Sequence, residues 1–209
     1  MKKLIGGEIY LDENSTQSSF KRNADGHKII HIGTHAEYNN VHPEQSGLIF
    51  AKNISATNDT NFLSLYDIYN CNMHADLAIL TACESGKPGY QDGEGMVSLA
   101  HAFNYAGSER ILTALWKIDE QSSSQITELF IKNLKAGDAT DEALRKAKLR
   151  YLEHAEGRMK SPLYWSGLII MGEPAGLTFV NSTTYTYWIA GGVLVLVLII
   201  FGFLKFKKK

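Results

Sequence analysis

The stretch "LAILTACESG", Leu77 to Gly86, decides how the rest of the chain is read. Its first six residues are apolar or small without interruption, the pattern of a strand covered on both faces, which predicts a strand over Leu77–Ala82. Cys83 follows at once, and Glu84, Ser85 and Gly86 turn the chain into short polar residues. In an open sheet of parallel strands, sites form beyond the carboxyl ends. A cysteine there is exposed while the sheet holds it rigidly. A lone cysteine at a strand end is more commonly a small core hydrophobe, and this stretch alone leaves both readings open.

Working outward, β-branched and apolar residues predict strands over Lys28–Gly33, Gly47–Ala51, "ERILTALWKI" (Glu109 to Ile118) and Trp165–Gly172. Between them, "TNFLSLYDIYN" carries Phe62, Leu65, Tyr66 and Tyr69 at helical spacing behind Thr60 or Asn61 as a cap. "GMVSLAHAFNYAG" keeps that period until Gly107, a glycine placed to end a helix. Two amphipathic helices are expected over Glu120–Leu134 and Thr140–His154, the second opening with Asp141 and Glu142 at the positive end of its dipole. "NSTQSSFKRNADG" (Asn14 to Gly26) reads as a turn-rich surface segment and "KPGYQDGEG" (Lys87 to Gly95) as a loop. Strands alternating with helices imply an α/β fold: a mostly parallel sheet covered by helices on both faces.

The 209 residues, 44% hydrophobic, carry a formal net charge of -1, and the pI is near 6.7. One medium domain with a real core fits these values, and the charge balance argues against nucleic acid as a partner. Two cysteines, Cys71 and Cys83, are too few for a disulfide framework. Cys71 is expected to pack at a helix end, and Trp116 and Trp165 in strands of the core. His27, His31 and His35 are spaced by four, with His42 beyond. Along a strand, such spacing puts neighbours roughly 13 Å apart. Ligands of one ion bind at about 2 Å, so no metal site is expected. His31 is read instead as a buried, hydrogen-bonded core histidine and His27 as a surface residue. "DGEG" lacks the spacing of a phosphate loop, and no cofactor is implied.

At the other end, "YWIAGGVLVLVLIIFGFLKF" (Tyr187 to Phe206) carries no charge before Lys205 and is long enough to cross a bilayer as a helix. A single transmembrane helix is expected over 187–204, with a linker over 177–186 and a basic tail over 205–209. Tyr185, Tyr187 and Trp188 are placed as interfacial aromatics at one end, and lysines close the other. The positive-inside rule puts the lysine end in the cytoplasm and the domain outside, provided the full chain has an export signal. "MKKLIGGEIY" has no apolar run long enough for one, and without it the domain stays on the cytoplasmic face.

Two strand ends carry ionisable side chains suited to chemistry. The strand over Lys28–Gly33 leads into "GTHAEYNN" with His35, and the strand from Leu77 leads into Cys83. A thiolate is intrinsically nucleophilic, and an imidazole beside it takes its proton and later returns one to a leaving group. Gly33, Ala36, Ala82, Ser85 and Gly86 are small enough to let a substrate backbone approach. The backbone N–H groups of Ala36 and Cys83, at turns with no ladder partner expected, are candidate oxyanion donors. Asp119 and Glu120, in "LWKIDE", follow the strand of Glu109–Ile118 at its carboxyl end and are candidates for binding substrate. The plainer reading makes them helix-dipole partners in the first turn that follows. Asp92 and Glu94, in the glycine-rich loop after the cysteine, are further candidates for lining the site.

The blocks "IIHIGTHA", "LAILTACESG", "GEGMVSLAHAFNYAGSERILTALWKIDE", "DEALRKAK" and "SPLYWSGLIIMGEP" resemble, in order and separation, the CHAT domain. This is a caspase-like family of clan CD cysteine peptidases related to separase. The resemblance runs from about Lys28 to Pro174. It implies a caspase-hemoglobinase-like fold over 28–176 and a cysteine endopeptidase in which the histidine and cysteine motifs fall on His35 and Cys83. It also implies that an acidic residue of the "LWKIDE" block, Asp119 or Glu120, reads a basic side chain before the scissile bond. Where the family has glycine after the histidine, this chain has Ala36. Family domains carry more sheet and helix before the histidine strand, often preceded by helical repeats. The 27 residues found here are therefore expected to be the remnant of a longer chain. Expected partners are a protein or peptide substrate, the membrane, and upstream repeats or a regulatory protein. The alternative function is a catalytically silent scaffold or protein-interaction module at the membrane.

Overall fold

The computed structural model describes residues 2–39, 41–52, 60–81, 89–91 and 95–179. The strands are β1 (Ile29–Ile32), β2 (His35–Glu37), β3 (Gly47–Ile49), β4 (Phe62–Ser64), β5 (Leu77–Leu80), β6 (Gly89–Gln91), β7 (Gly95–Val97), β8 (Ile111–Ala114) and β9 (Leu168–Met171). The helices are α1 (Lys2–Ile5), α2 (Gln17–Asn23), α3 (Leu65–Tyr69), α4 (Leu99–Tyr105), α5 (Glu120–Lys135) and α6 (Thr140–His154).

The main sheet has the order β1-β5-β8-β9. β1 and β8 lie parallel to β5, and β9 closes the sheet antiparallel to β8. The chain is thus α/β with a mostly parallel sheet. Every residue of β5 and β8 is buried, which is the physical reason they read as unbroken apolar runs. On one side Ile30, Ile32, Ala78, Leu80 and Ile111 join Leu65, Ile68, Leu99 and Phe103 in a single cluster. Elsewhere α5 and α6 pack on each other, burying Ile126, Phe130, Ile131, Leu134, Ala143 and Ala147. α5 and α6 match the expected spans to within one residue.

Several expectations are corrected. Asn14–Gly26 is not a turn-rich surface segment: Thr16 accepts a hydrogen bond from Ser19 N–H to cap α2. Phe20 then packs on Phe50 and Phe103, with ring centroids 5.6 and 6.2 Å away. The helix expected from Thr60 begins at Leu65, because Phe62–Ser64 pairs with β3 and Ser64 and Asp67 form a reciprocal capping box. Within Lys87–Gly95 and just beyond, β6 and β7 form an antiparallel hairpin. Val97 therefore belongs to a strand, and α4 opens only after its Ser98 cap.

Trp116 and Trp165 are half-buried and lie outside the strands. Their indole N–H groups donate to Leu163 O at 3.0 Å and Lys160 O at 3.1 Å. Among the described residues no helix is long and apolar enough to cross a membrane. The expected span over 187–204 and the basic tail lie outside them.

Candidate active site

β1 and β5 run side by side in register, Ile32 opposite Leu80. His35 and Cys83 each follow that shared rung by three residues in the chain. Parallel strands in register carry both chains past the same edge of the sheet, the edge at which sites form. Cys83 itself, Ala82, Ser85 and Gly86, and the loop carboxylates Asp92 and Glu94, lie outside the described residues.

After β1 the chain passes through Gly33 and Thr34 into β2, the first strand of an antiparallel sheet of order β2-β3-β4. Thr34 Oγ1 donates to Ile49 O, tying the start of β2 to β3. The period-two pattern leaves His35 and Glu37 exposed and Ala36 half-buried, its methyl against the core. The histidine thus projects from a paired strand rather than from an irregular loop.

The ladder also orients the Ala36 backbone. Leu65 N–H donates to Ser46 O at 2.9 Å, and Phe50 N–H to Asn61 O at 2.7 Å. Ser46, Leu48 and Phe50 therefore face β4, and the alternation of an antiparallel pair turns Gly47 and Ile49 toward β2. Opposite them stand Glu37 and His35. Ala36, between the two, directs its N–H and C=O away from β3, to the side on which β2 pairs with no further strand among the described residues. The expectation that Ala36 lies at a turn is corrected: it is mid-strand, and its N–H is left by the ladder for another reason. Its side chain also costs nothing in backbone strain, since Asp12 is the non-glycine residue with positive φ among those described.

Beyond β8, Asp119 is the N-cap of α5. Its Oδ1 accepts from Ser122 N–H and Ser122 Oγ, both at 2.9 Å. The backbone N–H of Ser122 and then its hydroxyl hold the Asp119 carboxyl below its ordinary range, with the Arg158 charge adding to them. Ser122 Oγ also meets Tyr151 OH at 2.9 Å, which joins the cap to α6. Glu120 is exposed in the first turn of α5. The dipole reading of Asp119 is thereby realised as a cap.

Replacing Asp119 with alanine is expected to lower stability by about 1 kcal/mol at neutral pH, with asparagine retaining most of it. Because the folded carboxyl is depressed, this contribution is full above the ordinary carboxylate pKa. It is lost as pH falls through the folded value. Urea titrations at pH 7 and near pH 3 check it: the gap between wild type and Asp119→Ala narrows in acid, and a gap that widens contradicts the sign.

His31 is not a buried core residue; it is exposed on β1 and its Nε2 lies 3.3 Å from Thr81 Oγ1. His27 is half-buried. Cys71 is half-buried after α3, where its Sγ donates to Asp67 O at 3.3 Å. Burial raises its thiol pKa, which makes it a poor nucleophile. The hydroxyl contacts of Thr34 with Ile49 O and of Thr81 with Ile32 O went unread, since a threonine at a strand end reads first as a β-former.

The family model described as the CHAT domain matches residues 1–173, which takes in both strand ends and the Asp119 cap. The match is consistent with a caspase-like fold. No curated protein matches the chain.

Proposed function

The chain belongs to the CHAT domain family, a family related to cysteine peptidases, and from that premise we propose that it is a membrane-anchored, caspase-like cysteine endopeptidase of clan CD. The observation that carries the reading is the common rung of β1 and β5, from which His35 and Cys83 are equally distant along the chain. Cys83 loses its proton to His35 and its sulfur attacks the carbonyl carbon of a peptide bond. The oxyanion formed accepts hydrogen bonds from the N–H groups of Ala36 and Cys83. As the C–N bond breaks, His35 gives its proton to the departing amine, leaving a thioester acyl-enzyme. Water, deprotonated by His35, then attacks that carbonyl, and the products are a carboxylate and the restored thiol.

Glu120, with Asp119, Asp92 and Glu94, supports a preference for a basic residue before the scissile bond. The engaged Oδ1 of Asp119 makes Glu120 the freer of the two residues beside α5. The apolar run over 187–204 supports an anchor that confines cleavage to proteins near one membrane. The side of the membrane follows the lysine-rich tail only if the full chain is exported. Upstream repeats or a regulatory protein fit a gated peptidase.

The test is hydrolysis of a mixed fluorogenic peptide library by the full chain in detergent. The expected result is cleavage that is lost in Cys83→Ala and kept in Cys71→Ala. A folded wild-type protein that cleaves nothing, with or without upstream segments, makes the scaffold the better reading.

A further inference from the structure

We propose that Thr81, braced by His31, is a positioning residue that sets the exit of the cysteine-bearing strand against the histidine-bearing one. The proposal rests on the reading of Cys83 and His35 as a catalytic pair. Thr81 is the last described residue before Cys83, two positions ahead of it in the chain. Its N–H donates to Ile32 O at 3.1 Å, as any residue at that point of a parallel ladder would. Its hydroxyl then adds what the ladder does not require: Oγ1 donates to the same Ile32 carbonyl at 3.2 Å. That carbonyl thereby accepts two hydrogen bonds from one residue of the neighbouring chain.

The hydroxyl is itself held. His31 Nε2 stands 3.3 Å from Thr81 Oγ1. The hydroxyl proton is spent on Ile32 O, so Nε2 carries the imidazole hydrogen and donates it to Oγ1. The protein packed around the imidazole pushes its pKa down to about 4, although part of the ring reaches solvent. His31 is therefore neutral near pH 7, and the tautomer with hydrogen on Nε2 is the one that this contact requires. Opposite, a Cβ on Gly33 would come within 3.3 Å of Thr81 Oγ1, tighter than most such contacts. Glycine leaves the hydroxyl its room.

The hydroxyl links thus join Ile32, three residues before His35 in the chain, to Thr81, two before Cys83, just past the last rung of Ile32 with Leu80. A nucleophile and its base must stay within hydrogen-bond reach of each other, and a misplacement of about 1 Å can cost on the order of 10²-fold in rate. A threonine serving only as a β-former would be replaceable by valine, which has the same shape and no hydroxyl. That substitution separates the two roles.

In the full chain, Thr81→Val is expected to lower kcat about tenfold or more with KM changed less than about twofold. Thr81→Ser, which keeps the hydroxyl, restores the rate. His31→Leu follows Thr81→Val in direction, and His31→Gln, whose amide keeps a donor, does not. These His31 variants carry the test if Thr81→Val fails to fold. A second readout needs no turnover: the pH dependence of Cys83 alkylation by iodoacetamide, measured in a Cys71→Ala background. The expected wild-type profile is shifted from that of an ordinary thiol, and Thr81→Val moves it back. A wild-type protein that hydrolyses, with valine and leucine variants indistinguishable from it in kcat and alkylation, overturns the positioning role alone. A wild-type protein that neither hydrolyses nor shows a shifted Cys83 profile overturns the catalytic pair and this proposal with it.

Discussion

His35→Ala is expected to lower peptide hydrolysis on the order of 10²- to 10⁴-fold, the range lost when a positioned acid–base group is removed. His35→Gln is expected to fall as far, because an amide keeps the size and a hydrogen bond but cannot take the thiol proton. The loss should appear in kcat and kcat/KM together, since the histidine moves a proton in the transition state rather than binding the ground state. The fold gives a reason to expect an intact protein. His35 is exposed on β2, and its pairing with Ile49 uses backbone groups that the substitution leaves in place. Surface changes of this kind usually cost less than about 0.5 kcal/mol. A His35→Ala protein that melts with the wild type and hydrolyses peptides at the wild-type rate removes histidine from the mechanism.

The elements that sequence reading placed well are those whose local signal and tertiary role agree. β5 is apolar at every position and buried at every position, and α5 ends in the basic Lys132 and Lys135 that its dipole favours. The start of α3 shows the opposite case. Phe62 and Leu65 sit at helical spacing, yet the long-range partner of Phe62 is Ile49, and pairing with a strand outweighs a three-residue period. The Ser64 and Asp67 box that marks the true start was present in the sequence. In α2, Thr16 was read as one more turn former, because the rings that reward the helix, Phe50 and Phe103, are distant in the chain. At the site, His35 was legible as a residue and not as a strand position. The direction of the Ala36 N–H depends on which β3 residues face β4, and that is settled by partners as remote as Asn61 and Leu65. The Thr81 hydroxyl was hidden for the same reason, since its acceptor is 49 positions away.

Ala36→Pro tests the oxyanion reading through the backbone, where a side-chain change cannot reach. Proline deletes one N–H and fixes φ near −65°, and it is tolerated on an edge strand when the lost N–H faces away from the ladder. β2 is an edge of the described three-stranded sheet, and the alternation of the ladder leaves the Ala36 N–H pointing outward. The residue before a proline is restricted to extended backbone, which His35 as a strand residue already satisfies. The expected result is a folded protein whose kcat falls by roughly 10²- to 10³-fold, the loss typical of one oxyanion donor. Ala36→Gly keeps the N–H and is expected to keep the rate, so the pair separates the donor from the methyl. The same change at Glu37, whose N–H faces β3, is expected to damage the sheet instead and to lower the melting temperature. If Ala36→Pro folds and hydrolyses as the wild type does, the outward N–H has no part in catalysis. Stabilisation of the oxyanion would then have to come from the other proposed donor, the N–H of Cys83.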